Sequence, residues 1–551
     1  MSKYIFGIDL GTTYSCIAYV DENGVPTVVK NMEGDNTTPS VVNFESPESV
    51  IAGKIAKENA VIDPDHTVSL VKTLMGRTKT VINYNGNDVS PQEVSSYILK
   101  KMTQDASQIL NAEVKDVVIT CPAYFGSEER EATRDAGELA GLNVIEILSE
   151  PTAAALYYGL AKESGQKTVL VYDLGGGTFD VTVLAIDDGN VKVVCSDGLH
   201  AIGGKNWDDA LIDYLESEFR AETDFDDDFD AETLQSLRLK AEETKMQLTM
   251  RDSVPVMVDA AGIRGRVTVD RQTFDSITSN LISQTIEKTN DCIKVAEDKG
   301  YKIDEILLVG GSTRMPQVKE KLVETYGMEP KILEPDEAVA KGAAIYALLA
   351  YDQKHKIATG QSGEIDDVVP GEPISEEEIE NYSIAPVAPV DVITGGREND
   401  IKQIVTVATT KSYALKAYDN NNVPKCVNLI IKNQEMPGGL VSKSQTFATQ
   451  TDNQETVLLE VYESDFMEDK YEVEEDFKLG DCTLAIPEGM PKGSPIEVTF
   501  TLNREGILEI IGREPTSGNE IKAEMQASAG ASLTDEEIEE IKEKVQGIKM
   551  M

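Results

Sequence analysis

Basic residues are scarce in this chain. Its 51 Lys and Arg stand against 97 Asp and Glu, a formal net charge of −46. Nucleic acid and anionic membrane are polyanions that such a chain repels, so neither is expected as a partner. The same charge favours solubility and opposes self-association at low salt, and a monomer is expected. Long apolar runs are also missing: none approaches the ~20 residues that a bilayer-spanning helix needs. The opening Met1-Ser2-Lys3-Tyr4-Ile5-Phe6-Gly7 has no signal-peptide architecture, so a cytoplasmic protein is expected. Cysteine is sparse. Cys16, Cys121, Cys195, Cys292, Cys426 and Cys482 lie far apart without a Cys-x-x-Cys pair, which favours buried reduced thiols over a zinc site or a disulfide framework. From Ile357 to Gly396 there is no Lys or Arg, while acids, Pro and Gly recur, the composition of a flexible acidic tether.

What is present is a duplicated loop. Asp9-Leu10-Gly11-Thr12-Thr13 and Asp173-Leu174-Gly175-Gly176-Gly177-Thr178 each join two apolar runs, so each is predicted at a hairpin tip. The turns Asp21-Glu22-Asn23-Gly24 and Asp187-Asp188-Gly189-Asn190 then lead into a third apolar run in both halves, which extends the repeat beyond the loops. Glycine lets backbone N–H groups wrap phosphate oxygens, threonine adds a hydroxyl donor, and the leading aspartate holds a neutralising cation. One Asp-Gly loop is usually only a hairpin turn. Two matched copies predict facing lobes with one phosphate loop each.

At roughly 100–200 residues per domain, 551 residues allow three or four units. Strands alternate with amphipathic helices through the first 350 residues or so, an α/β pattern. Ser90, Pro91 and Glu93 predict a capped helix with Val94, Ile98, Met102 and Ala106 on its apolar face. Val117 to Cys121 and Ile306 to Val309 read as corresponding strands of the two halves. A charged helical excursion spans Trp207 to about Gln284. Its run Asp226-Asp227-Asp228-Phe229-Asp230 lacks the ligand spacing of an EF-hand and reads as a solvated turn. Beyond residue 408, alternating runs such as Ala414 to Tyr418, Thr456 to Val461 and Ile496 to Leu502 predict an antiparallel β-sandwich. Thr534 and Glu537 form a capping box for a last helix.

Longer strings accompany the loops: Gly7-Ile8-Asp9-Leu10-Gly11-Thr12-Thr13, Ser149-Glu150-Pro151-Thr152-Ala153-Ala154-Ala155, Asp173 to Asp180, Val309-Gly310-Gly311-Ser312-Thr313-Arg314-Met315-Pro316 and Glu334-Pro335-Asp336-Glu337-Ala338-Val339-Ala340. In that order they resemble the heat-shock protein 70 (DnaK-type) chaperone family. The resemblance implies a multidomain chain: an α/β actin-like (ribonuclease H-like, duplicated) ATPase domain over 1–355, an acidic linker over 356–408, an all-β sandwich peptide-binding domain over 409–525, and a short C-terminal helix over 526–551 in place of the family's long lid. The family's linker is short and strongly apolar, and Ile404-Val405-Thr406-Val407 is the closest candidate here.

The resemblance also implies chemistry. Lys72 would reach the phosphates and the attacking water, Glu150 and Asp173 would order water around Mg2+, and Thr178 would offer its hydroxyl near the γ-phosphate of ATP. Asp9, Asp173 and Asp180 would bind metal, including K+. Gly11, Thr12, Thr13, Gly175, Gly176, Gly177, Gly203 and Gly204 would line the phosphates of ATP or ADP. Glu242, Lys245, Gly310, Gly311, Ser312, Arg314 and Asp336 would surround the nucleoside, with Arg314 stacked on the base. Lys205 stands where the family usually carries an acid. Leu415, Phe447, Val457 and Leu459 match peptide-contact positions, or are simply sandwich core. Pro122 and Arg130 match an interdomain relay, whereas Glu146 replaces a basic residue that meets a J-domain co-chaperone.

The function implied is an ATP-dependent chaperone, active in protein folding and stress response, that binds apolar segments of unfolded proteins and works with J-domain proteins and nucleotide exchange factors. A nucleotide-gated protein-binding scaffold with specialised partners is the alternative. A small-molecule kinase would leave the β-rich C-terminal third unexplained, and a filament former is opposed by the charge.

Overall fold

The computed structural model describes residues 4–160, 166–187, 190–332, 334–358, 390–394, 397–401, 405–419, 421–504, 506–525 and 533–550. Most of the stretch read as an acidic tether, 359–389, lies outside these residues.

The repeat visible in the loops extends to whole sheets. In the first half, β1 (Phe6–Asp9), β2 (Tyr14–Val20), β3 (Pro26–Val28), β4 (Asp116–Cys121) and β5 (Asn143–Ser149) lie in the order β5-β4-β1-β2-β3. In the second, β6 (Lys167–Leu174), β7 (Phe179–Asp187), β8 (Asn190–Leu199), β9 (Glu305–Val309) and β10 (Lys331–Ile332) lie in the order β10-β9-β6-β7-β8. Pairing directions match too: β1 is parallel to β4 and antiparallel to β2, as β6 is to β9 and β7. Strands β6 and β9 are nearly continuous apolar runs because helices cover the sheet, as parallel neighbours require.

Two helices fix how the halves meet. The helix at Glu150–Leu160 (α1) packs on the one at Ala338–Ala358 (α2), which also crosses β1. These crossings are closer than side chains allow. A Cβ on Gly7 would overlap the α2 backbone at Ala343 and Ala344, and one on Gly342 would overlap Ala153. Each half has its own apolar core, one around Phe6, Ile8, Tyr97 and Ile119, the other around Tyr172, Phe179, Trp207 and Phe219. The excursion in the second half carries a β-hairpin, Ser253–Ala260 with Ile263–Asp270, in a segment read from sequence as helical.

The C-terminal part is a two-sheet antiparallel sandwich of five and four strands, closed over Leu415, Leu459, Val461, Val498, Phe500 and Ile510. One expectation for the stretch before it needs correction. Val390–Thr394 pairs with Arg397–Ile401 as a hairpin inside the segment read as a tether. Val405–Ala408 is a strand that extends the second-half sheet, parallel to β8 on one side and antiparallel to Glu435–Met436 on the other.

The helix at Pro91–Leu110 begins as predicted, with the Ser90 hydroxyl accepting from the Glu93 N–H at 3.1 Å. The Glu93 carboxylate is buried instead of closing a capping box: it accepts from the Tyr97 hydroxyl at 2.9 Å and pairs with Lys544 at 2.6 Å. Lys544 belongs to the last helix, Asp535–Gly547, whose Thr534–Glu537 capping box forms. Val545 and Ile548 enter the first-half core, Lys100 donates to the Val545 and Ile548 carbonyls, and Lys549–Met550 pairs with Ser49–Val50. Basic charge at free carbonyls of a helix end is the favourable sign.

Candidate functional site

The β1–β2 and β6–β7 turns meet in the cleft between the halves. A Cβ on Gly176 would strike the Thr13 side chain, and one on Gly177 would come within 2.6 Å of Thr12 Cγ2. Gly203 closes the second loop from behind, where a Cβ would sit 2.5 Å from the Gly177 and Thr178 backbone. The Gly204 N–H donates to the Gly175 carbonyl at 2.9 Å, and Ser312 Oγ donates to the same oxygen at 2.9 Å. Gly310 adopts φ +82°, beside Asp173 and Leu174, which no L-residue replaces without strain. The structure therefore sets Thr12 and Thr13 against Gly176 and Gly177, and packs Gly203, Gly204, Gly310 and Ser312 on the second loop, with Gly11 in the first turn and Gly311 beside Asp336.

Charges stand beside these loops. Lys72, on the short turn Val71–Leu74, is buried and pairs with Glu150 at the start of α1. Asp9 accepts from Thr120 Oγ1 at 3.1 Å, and Asp180 accepts from the Ala123 N–H at 3.1 Å. Burial first, and the Glu150 charge second, push the Asp9 carboxyl up to about 7 and hold those of Asp173 and Asp180 well above the usual range. Burial pulls the Lys72 ammonium down, but Glu150 and Asp9 outweigh it and keep it raised. Among the described residues no three Asp, Glu, His or Cys converge as a ready metal cage. Buried carboxylates that resist ionisation nonetheless suit a cation whose other ligands are phosphate and water, the usual habit of Mg2+.

Among the residues expected around the nucleoside, Arg314 pairs with Asp336 at 2.5 Å, both half exposed, and Lys245 donates to the Gly204 carbonyl at 2.9 Å and pairs with Asp208 at 2.7 Å. Glu242 has partners in the other half. It pairs with Lys57 at 2.5 Å and accepts from the Tyr14 hydroxyl at 3.2 Å, so it ties the second half to the first across the cleft mouth. Lys57 and Tyr14 were not singled out from sequence, where nothing near them marks the role. Lys205 turns away to pair with Asp209 on its own helix.

The sandwich rests against both halves. Ser127 Oγ donates to Glu463 at 2.5 Å, Lys432 pairs with Asp197 at 3.2 Å, and the Ser196 N–H donates to Asn433 Oδ1 at 2.9 Å. Arg130 donates to the Phe125 and Ile147 carbonyls and lines the same crevice as Arg504 and Tyr413, close to Pro122, which accepts from the Phe125 N–H. Glu146 corrects the sequence reading. Expected on an open docking face, it is 8% exposed: it accepts from the Tyr346 hydroxyl at 2.8 Å and stands 3.7 Å from Arg504 of the sandwich. Its charge is met within the chain. Of the four peptide-contact candidates, Leu415 and Leu459 are fully in the core, whereas Phe447 and Val457 are half buried at its edge.

An α/β body of two like-built lobes facing across a glycine-lined, charged cleft, with a β-sandwich docked on it, defines the class. The model of the Hsp70 protein family matches residues 5–370 and 390–550, and the chain belongs to that family. It is 36% identical over 550 residues to the chaperone protein DnaK of Halobacterium salinarum, covering 98% of this chain and 78% of that one. With those of Thermosipho melanesiensis and Thermotoga neapolitana the identities are 34% over 547 residues and 35% over 545, covering 98% and 97% of this chain and 82% of each relative.

Proposed function

We infer that the chain is an ATP-dependent molecular chaperone, in which ATP binding and hydrolysis in the cleft switch the affinity of the sandwich for exposed apolar segments of unfolded proteins. Membership of the Hsp70 family and the relatives named chaperone protein DnaK support the activity. The observation that carries its placement in the cleft is the buried Lys72–Glu150 pair among Asp9, Asp173 and Asp180, between two touching glycine loops. So many like charges in one buried space are costly unless a cation and a phosphate chain share it.

In this reading the lobes are an actin-like ATPase domain. The N–H groups of Gly11 to Thr13 and Gly175 to Gly177 hold the phosphates, and Gly203 and Gly204 keep the second loop in shape. Lys72 meets the transferring phosphoryl group, Glu150 holds Lys72 and orders the attacking water, and Thr178 donates to the developing charge. Mg2+, when bound, neutralises the polyphosphate, with Asp9, Asp173 and Asp180 facing it and K+. Glu242, Lys245, Arg314 and Asp336 enclose the nucleoside. Phe447 and Val457 are the peptide contacts favoured by their partial exposure; Leu415 and Leu459 support them from the core. J-domain co-chaperones and nucleotide exchange factors are the partner classes, the former docking elsewhere than on Glu146. Among the described residues no helix is long and apolar enough to cross a membrane, and a cytoplasmic, monomeric chaperone is the reading that fits. The test is release of a fluorescent apolar peptide from the full chain on adding ATP with Mg2+; no change in bound peptide would overturn the switch.

A further inference from the structure

Two of the cysteines expected to be isolated thiols are neighbours. Cys195 Sγ on β8 lies 3.4 Å from Cys292 Sγ on the helix Ser279–Asp298, and both are almost wholly buried. The pair lies against a cavity of about 370 Å³ whose other wall is the sandwich, through Lys432, Asn433, Asp465 and Met467. That space holds several water-sized molecules, since one water takes up ~30 Å³. The thiols also sit under the docking contact itself. The residue after Cys195 donates its N–H to Asn433, and Lys299, at the end of the Cys292 helix, donates to both the Val194 and Asn433 carbonyls.

We propose that Cys195 and Cys292 form an oxidation site that hydrogen peroxide converts to a disulfide, shielded while the sandwich is docked. The two sulfurs are unequal. The hydrogen bond from Cys292, with the Lys299 charge behind it, holds the Cys195 thiol below its ordinary value, while the same bond and burial push Cys292 up. Cys195, the sulfur on the strand that faces the cavity and the docked sandwich, is therefore assigned the first attack, as its thiolate once deprotonated. Its sulfur takes the terminal peroxide oxygen, the O–O bond breaks, and the leaving hydroxide takes up the proton that Cys195 had lost. Cys292 then attacks the resulting sulfenic sulfur; the S–O bond breaks, the S–S bond forms, and a second water leaves with the Cys292 proton. One peroxide becomes two waters, and the two thiols lose two electrons and two protons. The sulfurs need to approach by little more than ~1 Å to reach bonding distance, a small motion of one strand against one helix. Asn433 and Lys432 limit entry because they bridge the cavity to β8.

The test uses the full chain exposed to hydrogen peroxide, quenched in denaturant with an alkylating reagent and read by peptide mass spectrometry. A Cys195–Cys292 cross-linked peptide, reversed by dithiothreitol and absent from Cys195→Ser and Cys292→Ser, is expected. Asn433→Ala, which loosens the sandwich, is expected to form it several-fold faster. Full alkylation of both wild-type cysteines after peroxide, or equal cross-linking to any other cysteine, overturns the site. An unchanged rate in Asn433→Ala overturns the shielding. The wild-type measurement stands even if a serine variant fails to fold.

Discussion

Arg504→Ala should loosen the docking of the sandwich without unfolding it. Arg504 donates to the Tyr346 hydroxyl at 2.8 Å and stands 3.7 Å from Glu146, so its removal takes a positive charge from beside a largely buried carboxylate. Stripping one partner from a fully buried pair costs ~3–5 kcal/mol. The cost here is smaller, because the Arg504 side chain is 21% exposed and Glu146 keeps the Tyr346 hydroxyl at 2.8 Å. We take ~1.4 kcal/mol, or about tenfold in the docking equilibrium.

The readout is hydrogen exchange at the amides that bond across the pairing of Val191 with Val405 and Lys192 with Thr406, between β8 and the strand before the sandwich. Where closing is fast, exchange follows the opening equilibrium, so these amides should exchange about tenfold faster. Those of the Pro495–Asn503 and Leu508–Arg513 strand pair inside the sandwich should not change. Glu146→Gln removes the stranded charge and should lessen the effect of Arg504→Ala, a non-additivity that a double-mutant cycle measures. Unchanged exchange in Arg504→Ala, or strictly additive variants, would refute the reasoning.

Lys72→Ala should keep nucleotide bound but slow single-turnover hydrolysis by at least about a hundredfold, since one lost charge-stabilising donor typically costs ~3 kcal/mol; a wild-type rate would remove Lys72 from the chemistry. Gly203→Ala should weaken nucleotide binding in a calorimetric titration, because the new Cβ meets the Gly177 and Thr178 backbone at 2.5 Å and the loop must shift; unaltered affinity would show the loop to be plastic. His200 should make stability depend on pH. Burial, then the charges of Lys411 and Arg77, hold its imidazole down at about 4, against an unfolded value near 6.5. The folded chain then binds fewer protons, so this contribution is complete above pH ~6.5 and is lost as pH falls towards 4. Denaturant titrations from pH 7 to 5 should show a shallower decline for His200→Gln than for wild type, and equal slopes would count against it.

What was legible in the sequence was mostly local. The two glycine loops declare themselves because so tight a strand–loop–strand turn against a second loop needs glycine, and because the pattern arises twice in one chain. Ser90 and Thr534 were readable as caps because a cap is satisfied within its own first turn. The alternating runs gave the sandwich strands for the same reason: period-two burial belongs to the strand itself.

Apart from the two hairpins, at 253–270 and 390–401, the misreadings concern partners brought from far along the chain. Glu93 fits a capping box by spacing, yet Lys544 and the Tyr97 hydroxyl take its carboxylate. Glu146 has the sign of a repelling surface until Arg504 arrives over it. Cys195 and Cys292 lie 97 residues apart, so no spacing rule pairs them; only the packing of one helix under β8 does. These distant pairings concentrate where the sandwich or the last helix meets the lobes. A contact between domains is made here from side chains that are each tolerable in water, such as Arg504, Lys432 and Glu463, and tolerable side chains leave little pattern in a sequence. The cleft is the opposite case. Its carboxylates and glycines are awkward wherever they stand, and that awkwardness made them readable.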